Sequence, residues 1–478
     1  MPRHLLILMT LMKMKYNLLP FTFTRISGKE VLVNELGDMM TVPYGTVNSI
    51  VSHTMDTKGD LYKSLVSNFF ISERKIPALL DIYAERLTAK KRFMDDGTAL
   101  HIFVLTLRCN QNCVYCQASS QDEHCAHKSM SFETMEHAVH LMFKSRSQWL
   151  TMEFQGGEPS LEPELLRYGI ELAEEINKIE QRHMRYVLCT NSINLTDEVL
   201  DICKTYHVLI STSLDGPSWL HNKNRGKIDS YERVVRGIEK ARTNLGENQV
   251  AALMTTSELA LDYPKEIVNE YVKLGFHSIF LRALNPYGLA SENADWEHYT
   301  DRFIAFYKQA FEHILSINKQ GILMIEEFAA IILRKILTPW CTGFVDLQSP
   351  AGIVNSVLVY NYDGYLYASD ESRMLAEEGD YTFRIGSVRE SYEQLLNSKK
   401  VHSWSKVWSN EILAGCSDCG VRAYCGADPV RNYSTQEDIY GFRPTSLLCK
   451  KNKAIIEYLI SLIIDRKEEV MPIFKKWL

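Results

Sequence analysis

The sequence of 478 residues has no excess of basic residues, no internal repeats and no low-complexity segments. The apolar stretch Leu5–Met12 is too short to span a bilayer, which takes about 20 residues, and Lys13 and Lys15 follow it. A formal net charge of −6 gives no support to a nucleic-acid partner. We therefore expect a cytoplasmic protein with neither a nucleic-acid nor a membrane partner.

The cysteines do not suggest a disulfide framework, because their number, 11, is odd and seven of them fall in two tight clusters. This distribution favours metal ligation in a reducing compartment. Cys109, Cys113 and Cys116 form the first cluster, with C-x3-C-x2-C spacing. Three thiolates leave one iron of a [4Fe–4S] cluster open for another ligand. A zinc knuckle completed by a distant His or Cys is the alternative.

The residues before these cysteines favour the iron–sulfur interpretation. His101–Leu107 is predicted to be a buried strand, so the loop follows the carboxyl end of a strand, where α/β folds place their sites. The loop resembles the signature of the radical S-adenosylmethionine (SAM) enzymes. In that family the open iron chelates the amino and carboxyl groups of the methionine part of SAM. The resemblance implies SAM and a SAM-binding [4Fe–4S] cluster as cofactors.

A second motif ends the next predicted strand, Thr151–Gln155. Gly156, Gly157, Glu158 and Pro159 resemble the GGEP motif that holds the methionyl amine of SAM in this family. Glycines permit a close backbone approach to a ligand, and a carboxylate can pair with an ammonium group. A Gly-Gly turn alone is a weak signal, but it becomes specific one β/α unit after the cysteine loop.

Two further strand ends carry candidate SAM contacts. Asn191 follows the third predicted strand, and Ser213-Leu-Asp215-Gly-Pro, with Arg225 downstream, follows the fourth. The latter stretch resembles one in anaerobic sulfatase-maturating enzymes. The match implies that Ser213 contacts the SAM ribose and Arg225 its carboxylate, with Asp215 in the same site. A turn and a solvated salt bridge are the alternatives. Those enzymes have an aromatic residue two positions after the third cysteine, where this sequence has Ala118. The resemblance therefore implies no adenine contact at this position.

The second cluster contains Cys416, Cys419 and Cys425, in C-x2-C-x5-C spacing, and Cys449 follows. Four thiolates can saturate a [4Fe–4S] cluster, which suits electron transfer or structural support; zinc is the alternative. The spacing resembles half of a SPASM domain, which normally carries two auxiliary clusters.

Here the resemblance implies only one auxiliary [4Fe–4S] cluster. Ser369 and Pro429 stand where the related enzymes have cysteines, and Cys341 lacks enough partners. A third cluster is therefore expected to be absent. Asp370 aligns with the aspartate proposed to take a proton during substrate oxidation in those enzymes. A surface carboxylate in a turn is the alternative.

Strands and helices alternate over residues 99–320, and six β/α units predict an α/β fold with a partial (β/α)6, TIM-like barrel. Residues 1–98 are predicted to form a small α+β domain, similar to winged-helix peptide-recognition domains or serving only as a structural extension. Residues 321–478 are predicted to form a SPASM-like domain that begins with a helix over Gly321–Leu337.

The whole arrangement most resembles the His-Xaa-Ser system radical SAM maturases. The resemblance implies reductive cleavage of SAM to a 5′-deoxyadenosyl radical and modification of a His-Xaa-Ser repeat peptide. It also implies a flavodoxin- or ferredoxin-type reductant and a companion maturase as partners. Two alternatives are an iron–sulfur electron carrier, which has no use for the SAM residues, and a colourless zinc-stabilised binding module.

Overall fold

The computed structural model describes residues 16–73, 77–292, 295–404 and 409–478. The apolar stretch Leu5–Met12 lies outside these residues. Within the described ranges, no helix has both the length and the apolar character needed to cross a membrane.

The N-terminal part is a small antiparallel sheet followed by helices. Its elements are β1 (Phe21–Ile26), β2 (Lys29–Asn34), β3 (Met39–Val42), α1 (Thr46–Val51), α2 (Asp60–Ser67) and α3 (Pro77–Lys91). Leu32 on β2 packs into a local core, whereas Val31 and Val33 face the main core, since alternate strand residues point to opposite sides. This part therefore has a core of its own and is also packed onto the rest of the molecule.

A parallel sheet follows, in which each strand pairs with the next along the chain. Its strands are β4 (Leu100–Thr106), β5 (Trp149–Gly156), β6 (His183–Thr190), β7 (Leu209–Ser213) and β8 (Val250–Leu253). The helices between and after them are α4 (Phe132–Met142), α5 (Pro163–Glu180), α6 (Asp197–Thr205), α7 (Ser218–Arg225), α8 (Ser230–Leu245) and α9 (Pro264–Lys273). All five carboxyl ends lie at one edge of the sheet.

The sixth β/α unit was predicted to continue the barrel, but its strand does not belong to the main sheet. Strand β9 (Ser278–Ile279) pairs with β10 (Ile325–Glu326), after the long helix α10 (Trp296–Lys319), and an isolated bridge between Thr256 and Ala283 connects it to the β8 side.

The helix predicted from Gly321 begins only at Glu327, as α11 (Glu327–Leu337). The buried carboxylate of Glu326 determines this start. It accepts hydrogen bonds from the backbone N–H groups of Phe328 and Ala329, which caps the helix, and from that of Leu281, which holds the neighbouring strand.

The C-terminal part extends the main sheet. Strand β11 (Val357–Tyr360) pairs in parallel with β4, and β12 (Tyr365–Tyr367) and β13 (Arg384–Ser387) continue as antiparallel strands. The sheet thus crosses the predicted domain boundary at residue 320. The helices here are α12 (Asp370–Glu377), α13 (Tyr392–Leu396), α14 (Lys399–Trp404), α15 (Pro429–Gln436), α16 (Leu447–Asp465) and α17 (Lys467–Trp477).

Candidate active site at the carboxyl edge of the sheet

A cavity of about 470 Å³, here called the central cavity, lies at the carboxyl ends of the parallel strands. The first part of its lining comes from the loops after β4 to β7, and the second part comes from residues 343–346 and the start of α12. The predicted site residues that line it are Cys109, Cys113, Cys116, Gly156, Gly157, Asn191, Ser213, Arg225 and Asp370. Residues separated by more than 250 positions in the sequence therefore meet in one space.

Hydrogen bonds to the surrounding elements hold the cysteine loop. The Arg108 guanidinium lies 2.9 Å from Glu162, the Val114 N–H donates to the Asn224 carbonyl at 2.9 Å, and the Gln111 amide donates to the Ser230 hydroxyl at 2.6 Å. These contacts reach the start of α5, the end of α7 and the start of α8. The loop is thus fixed by the barrel as well as by its own short ladder, in which Arg108–Cys109 pairs with Gln121–Asp122.

The three thiols of the loop lie close enough to influence one another. Burial, together with the neighbouring Glu158, Cys113 and Cys116, raises the pKa of Cys109 to about 12. Burial also raises the pKa of Cys113, to about 11, although the Arg225 guanidinium opposes this. A cluster of buried thiols that become acidic only with a cation at hand is suited to metal ligation.

The two glycines of the GGEP segment are required by the chain's own backbone. A Cβ on Gly156, whose φ is +144°, would lie 2.0 Å from the Thr106 carbonyl oxygen, and one on Gly157 would lie 2.4 Å from that of Leu107. The Gly157 N–H donates to the Thr106 carbonyl at 2.8 Å. The close approach is thus first of all to the strand end that begins the cysteine loop.

Glu158 does not line the central cavity, which differs from the prediction that its carboxylate pairs with the amine of SAM. It is fully buried and accepts hydrogen bonds from the Ser160 N–H at 3.1 Å, the Thr190 hydroxyl at 2.6 Å and the Asn191 N–H at 2.7 Å. Burial raises its pKa, and these bonds oppose the rise. Glu158 therefore joins the ends of β5 and β6, and the buried Pro159 continues this turn.

Asn191 and Ser213 end neighbouring strands and reach the cavity. The Asn191 side chain donates to Asn110 at 2.7 Å, accepts from the Ile193 N–H at 3.0 Å, and lies 4.0 Å from the Cys109 sulfur. Ser213 is the last residue of β7 and is half-buried against the cavity. Both side chains are placed to contact a ligand beside the cysteine loop.

Arg225 and Asp215 form a buried ion pair beside the cysteines. The guanidinium Nε lies 3.0 Å from Asp215 Oδ2 and Nη2 lies 2.8 Å from Oδ1, while Nη1 lies 3.8 Å from the Cys113 sulfur. Tyr115 donates its hydroxyl to Asp215. Although burial opposes it, Arg225 holds the pKa of Asp215 below its ordinary value. Asp215 is thus not a cavity-lining group but the counter-charge that orients Arg225.

The predicted catalytic residue Asp370 belongs to the second part of the lining, in the first turn of α12. Arg373 donates to Asp370 Oδ1 at 2.9 Å and to the Ala118 carbonyl at 3.0 Å. Ser369, which stands in place of a cysteine, is the N-cap of this helix and accepts from the Ser372 N–H. Arg373 therefore connects the part of the lining that carries Asp370 to the cysteine loop.

Several charged groups of the cavity were not found from the sequence. Glu153, Arg282, Asp346 and Glu371 line it, and so does the thiol-bearing Cys189. Cys189 forms a hydrogen bond with Glu153 on the neighbouring strand. Alternation along β5 places Glu153 and Gln155 on one face, which is the only sequence signal for this position.

The second cysteine set is also brought together. Burial raises the pKa of Cys416 to about 11, and Cys425, Cys449 and Cys419 all contribute to the rise. Ser446 caps α16 by accepting from the Cys449 N–H, and Asn452 lies 3.9 Å from the Cys425 sulfur. The start of α16 thus carries the fourth thiol to the turn that holds the other three.

Besides Ser369, two positions bear on whether a third cluster is present, Pro429 and Cys341. Pro429 is the first residue of α15, with Asp428 as its N-cap. Cys341 is exposed and lines a separate cavity of about 80 Å³ with Lys90 and Lys335. Neither position adds a thiol to the central cavity.

The donor sets fit iron–sulfur clusters. In the described part of the chain, no group of three or more His, Cys, Asp or Glu side chains converges as a single metal ion would require. The thiolates of a [4Fe–4S] cluster bind different iron atoms and need not converge. One set offers three half-buried thiols beside an open cavity, and the other set offers four.

Comparison with known proteins agrees with this geometry. The family model of the radical SAM superfamily matches residues 103–256. An uncharacterised protein of Synechocystis, sll1766, is 30% identical over 395 residues, which cover 78% of this chain and 92% of that protein. The cysteine-type anaerobic sulfatase-maturating enzyme of Clostridium perfringens is 21% identical over 379 residues, 75% of this chain and 95% of the enzyme.

Two solved structures share the fold. Native anSMEcpe with bound AdoMet and Cp18Cys peptide matches 78% of this chain and 99% of its own, with a TM-score of 0.63 and 18% identity. Streptococcus suis SuiB bound to precursor peptide SuiA matches 91% of this chain and 100% of its own, with a TM-score of 0.53 and 11% identity. The predicted α/β radical SAM fold is confirmed.

The chain belongs to the radical SAM superfamily. It is an enzyme whose cofactors are SAM and a [4Fe–4S] cluster.

Proposed function

We propose that this enzyme modifies a peptide or small protein by removing a hydrogen atom and then a proton from one of its residues. The observation that carries the proposal is that the three thiols of the cysteine loop and Asp370 line one cavity. A volume of about 470 Å³ accommodates the reacting end of SAM together with a substrate side chain.

Each part of the lining has a distinct task. Cys109, Cys113 and Cys116 would hold the SAM-binding cluster, and Gly156, Gly157, Asn191, Ser213 and Arg225 would contact SAM. When bound, these cofactors supply a 5′-deoxyadenosyl radical that removes a hydrogen atom from the substrate. Arg225 turns its Nη1 toward the cysteine side while Asp215 holds its other nitrogens, which suits recognition of a carboxylate. Glu158 and Pro159 support the SAM site from behind by fixing the β5 and β6 ends.

Asp370 is the proposed proton acceptor. Arg373 fixes the Asp370 carboxylate through one oxygen, which leaves the other available to a substrate proton. Cys416, Cys419, Cys425 and Cys449 would hold one auxiliary [4Fe–4S] cluster, which supplies an electron acceptor for the oxidation. We propose no third cluster, because Ser369 and Pro429 cap or begin helices and Cys341 lies in another cavity.

The proposed substrate is a His-Xaa-Ser repeat peptide, which residues 1–98 would recognise, with 99–320 supplying the barrel and 321–478 the auxiliary site. A flavodoxin- or ferredoxin-type protein would be the reductant, and a companion maturase would act with the enzyme. The Tyr424 hydroxyl donates to the Gly37 carbonyl at 3.0 Å, so the N-terminal part directly abuts the turn with the auxiliary cysteines. This contact favours joint presentation of a peptide to the cavity.

The test uses the full chain, reconstituted with iron and sulfide under anaerobic conditions and supplied with SAM and dithionite. A synthetic peptide of His-Ala-Ser repeats is compared with one in which alanine replaces each His. We expect 5′-deoxyadenosine, and a mass change in the repeat peptide alone. Absence of 5′-deoxyadenosine would favour an electron carrier, and equal modification of both peptides would contradict the substrate assignment.

A further inference from the structure

A second, smaller cavity adjoins the central cavity behind Asp370. This side cavity has a volume of about 60 Å³, and its charged lining is Arg282, Asp346, Glu371, Asp428, Arg431 and Lys451. It shares Phe280, Arg282, Asp346 and Glu371 with the central cavity. About 10–15 Å³ suffices for one water, so a polar space of this size holds several.

A third space continues in the same direction. The outer cavity, about 10 Å³, shares Ala283, Asn285 and Arg431 with the side cavity. It reaches the half-buried residues Trp296 and Leu447 at the first turns of α10 and α16. Three adjoining spaces thus lead from the cavity that Asp370 lines to side chains that are partly exposed to solvent.

Glu371 is the group that both the central and the side cavity share on the Asp370 side. It follows Asp370 directly in the first turn of α12, whereas Arg373 binds Asp370 from one turn further on. Asp346, Asp428 and Asp370 face Glu371 as acids, and Arg282, Arg431 and Lys451 complete the lining as cations. No step assigned to SAM binding or to the auxiliary site uses these groups.

We propose that Glu371 receives the proton taken up by Asp370 and releases it to water in the side cavity, from which it leaves through the outer cavity. The inference rests on the proposed function, because substrate oxidation is what delivers a proton to Asp370. Because consecutive side chains of a helix diverge, the proton passes through water in the central cavity, which both carboxylates line: the O–H bond on Asp370 breaks as the water is protonated, and the water gives a proton to Glu371. Water of the side cavity then takes the proton from Glu371. Asp370 is thereby returned to its carboxylate for the next turnover.

The charge environment supports this role. Burial and the charges of Asp346, Asp428 and Asp370 together raise the pKa of Glu371 to about 8. A carboxyl group with a pKa near neutral exchanges protons readily in both directions. Asp346 lines the same space.

Infrared spectroscopy tests the route without any peptide. On the reconstituted full chain, a carboxylic-acid band should disappear as the pH rises through about 8, and Glu371→Gln should lack it. In D₂O this band should shift within the mixing time if water fills the side cavity and exchanges with solvent, as proposed. Ala283→Leu, which fills the junction to the outer cavity, should slow that shift. No Glu371-dependent band, or exchange as slow as that of core amides, would overturn the proposal.

The peptide assay tests the consequence. Glu371→Gln should retain its iron and lose product formation by roughly 10²-fold, the lower end of what a positioned acid–base group contributes. It should also lose the wild-type rise in product rate with pH. Glu377→Gln is the matched control, because Glu377 lies on the same helix, outside the three cavities, 3.9 Å from Lys128. An unchanged pH profile in Glu371→Gln would also overturn the proposal, whereas failure of the peptide as a substrate would overturn only the proposed function.

Discussion

Arg225 and Asp215 form a two-pronged ion pair, with Nη2 2.8 Å from Oδ1 and Nε 3.0 Å from Oδ2. The pair connects the last turn of α7 to the loop after β7, and the guanidinium reaches 3.8 Å from the Cys113 sulfur. Both side chains are buried. This one ion pair thus orients Arg225, a candidate SAM-binding residue, and helps to hold the cysteine loop.

Asp215→Ala should therefore lower the stability of the protein by about 3–5 kcal/mol, the usual cost of leaving a buried charge without its partner. The loss of stability should appear as a lower thermal unfolding midpoint of the protein without cofactors. Asp197→Ala is the control, since Asp197 is an exposed partner of Lys240 at 2.7 Å, and little change is expected there. Equal shifts in the two variants would show that the ion pair is not structural.

Cys113→Ala should abolish reductive cleavage of SAM, because the open-iron cluster needs all three thiolates of the loop. The measurement is 5′-deoxyadenosine formation by reconstituted protein. Cys203→Ala, at a buried position outside the central cavity, should retain it. Formation at the wild-type level by Cys113→Ala would contradict the assignment of the SAM-binding cluster.

Gly157→Ala should disturb the cysteine loop, since the new Cβ would lie 2.4 Å from the carbonyl oxygens of Leu107 and Arg108. Gly246→Ala is the control for backbone strain without a clash. Gly246 has a φ of +99°, but no atom lies within 4 Å of the position that its Cβ would take. We expect Gly157→Ala to lose iron from the SAM-binding site and Gly246→Ala to lose only some stability. Full iron content in Gly157→Ala would show that the loop can move away.

The sequence sufficed for the parts of the site that depend on local spacing. The cysteine loop, the Gly-Gly turn and the Ser-Leu-Asp-Gly stretch each follow a strand whose apolar pattern is clear. Parallel strands bring their carboxyl ends to one edge, so the shared cavity could be expected. Asp370 was placed by resemblance, not by pattern.

Long-range pairing could not be predicted in the same way. The run Val357–Tyr360 is recognisable as a strand, but nothing in it specifies β4 as its neighbour. The carboxylate of Glu158 looks available in the sequence, yet three donors from the protein occupy it. Arg373 and Glu371 became visible as site residues only when the helix set their positions around Asp370.

Reconstituted protein should contain about eight irons, four for each complete set of cysteines. Cys419→Ala should reduce the content to about four irons and stop peptide modification. Cys341→Ala should leave the iron content unchanged, since the exposed Cys341 lines one cavity with Cys425 but the set of four cysteines is complete without it. Iron and sulfide analysis of the same preparations checks both. About twelve irons in the wild type would mean that a third cluster exists and that Cys341 has partners.

Asp370→Asn should preserve the shape of the cavity, because asparagine can still accept the Arg373 hydrogen bond at the same position. If Asp370 accepts the substrate proton, peptide product per 5′-deoxyadenosine should fall by roughly 10²–10⁴-fold, the usual contribution of a positioned general base. A turn carboxylate would leave the product yield near that of the wild type, and a ligand to a remnant cluster would lower the iron content. Deoxyadenosine, product and iron measured on one preparation distinguish the three roles.

Arg373→Lys completes the test, because it keeps the charge but cannot bridge both Asp370 and the Ala118 carbonyl as a planar guanidinium does. We expect a smaller loss of product in Arg373→Lys than in Asp370→Asn. An unchanged yield in Asp370→Asn would refute the role of Asp370 as the base.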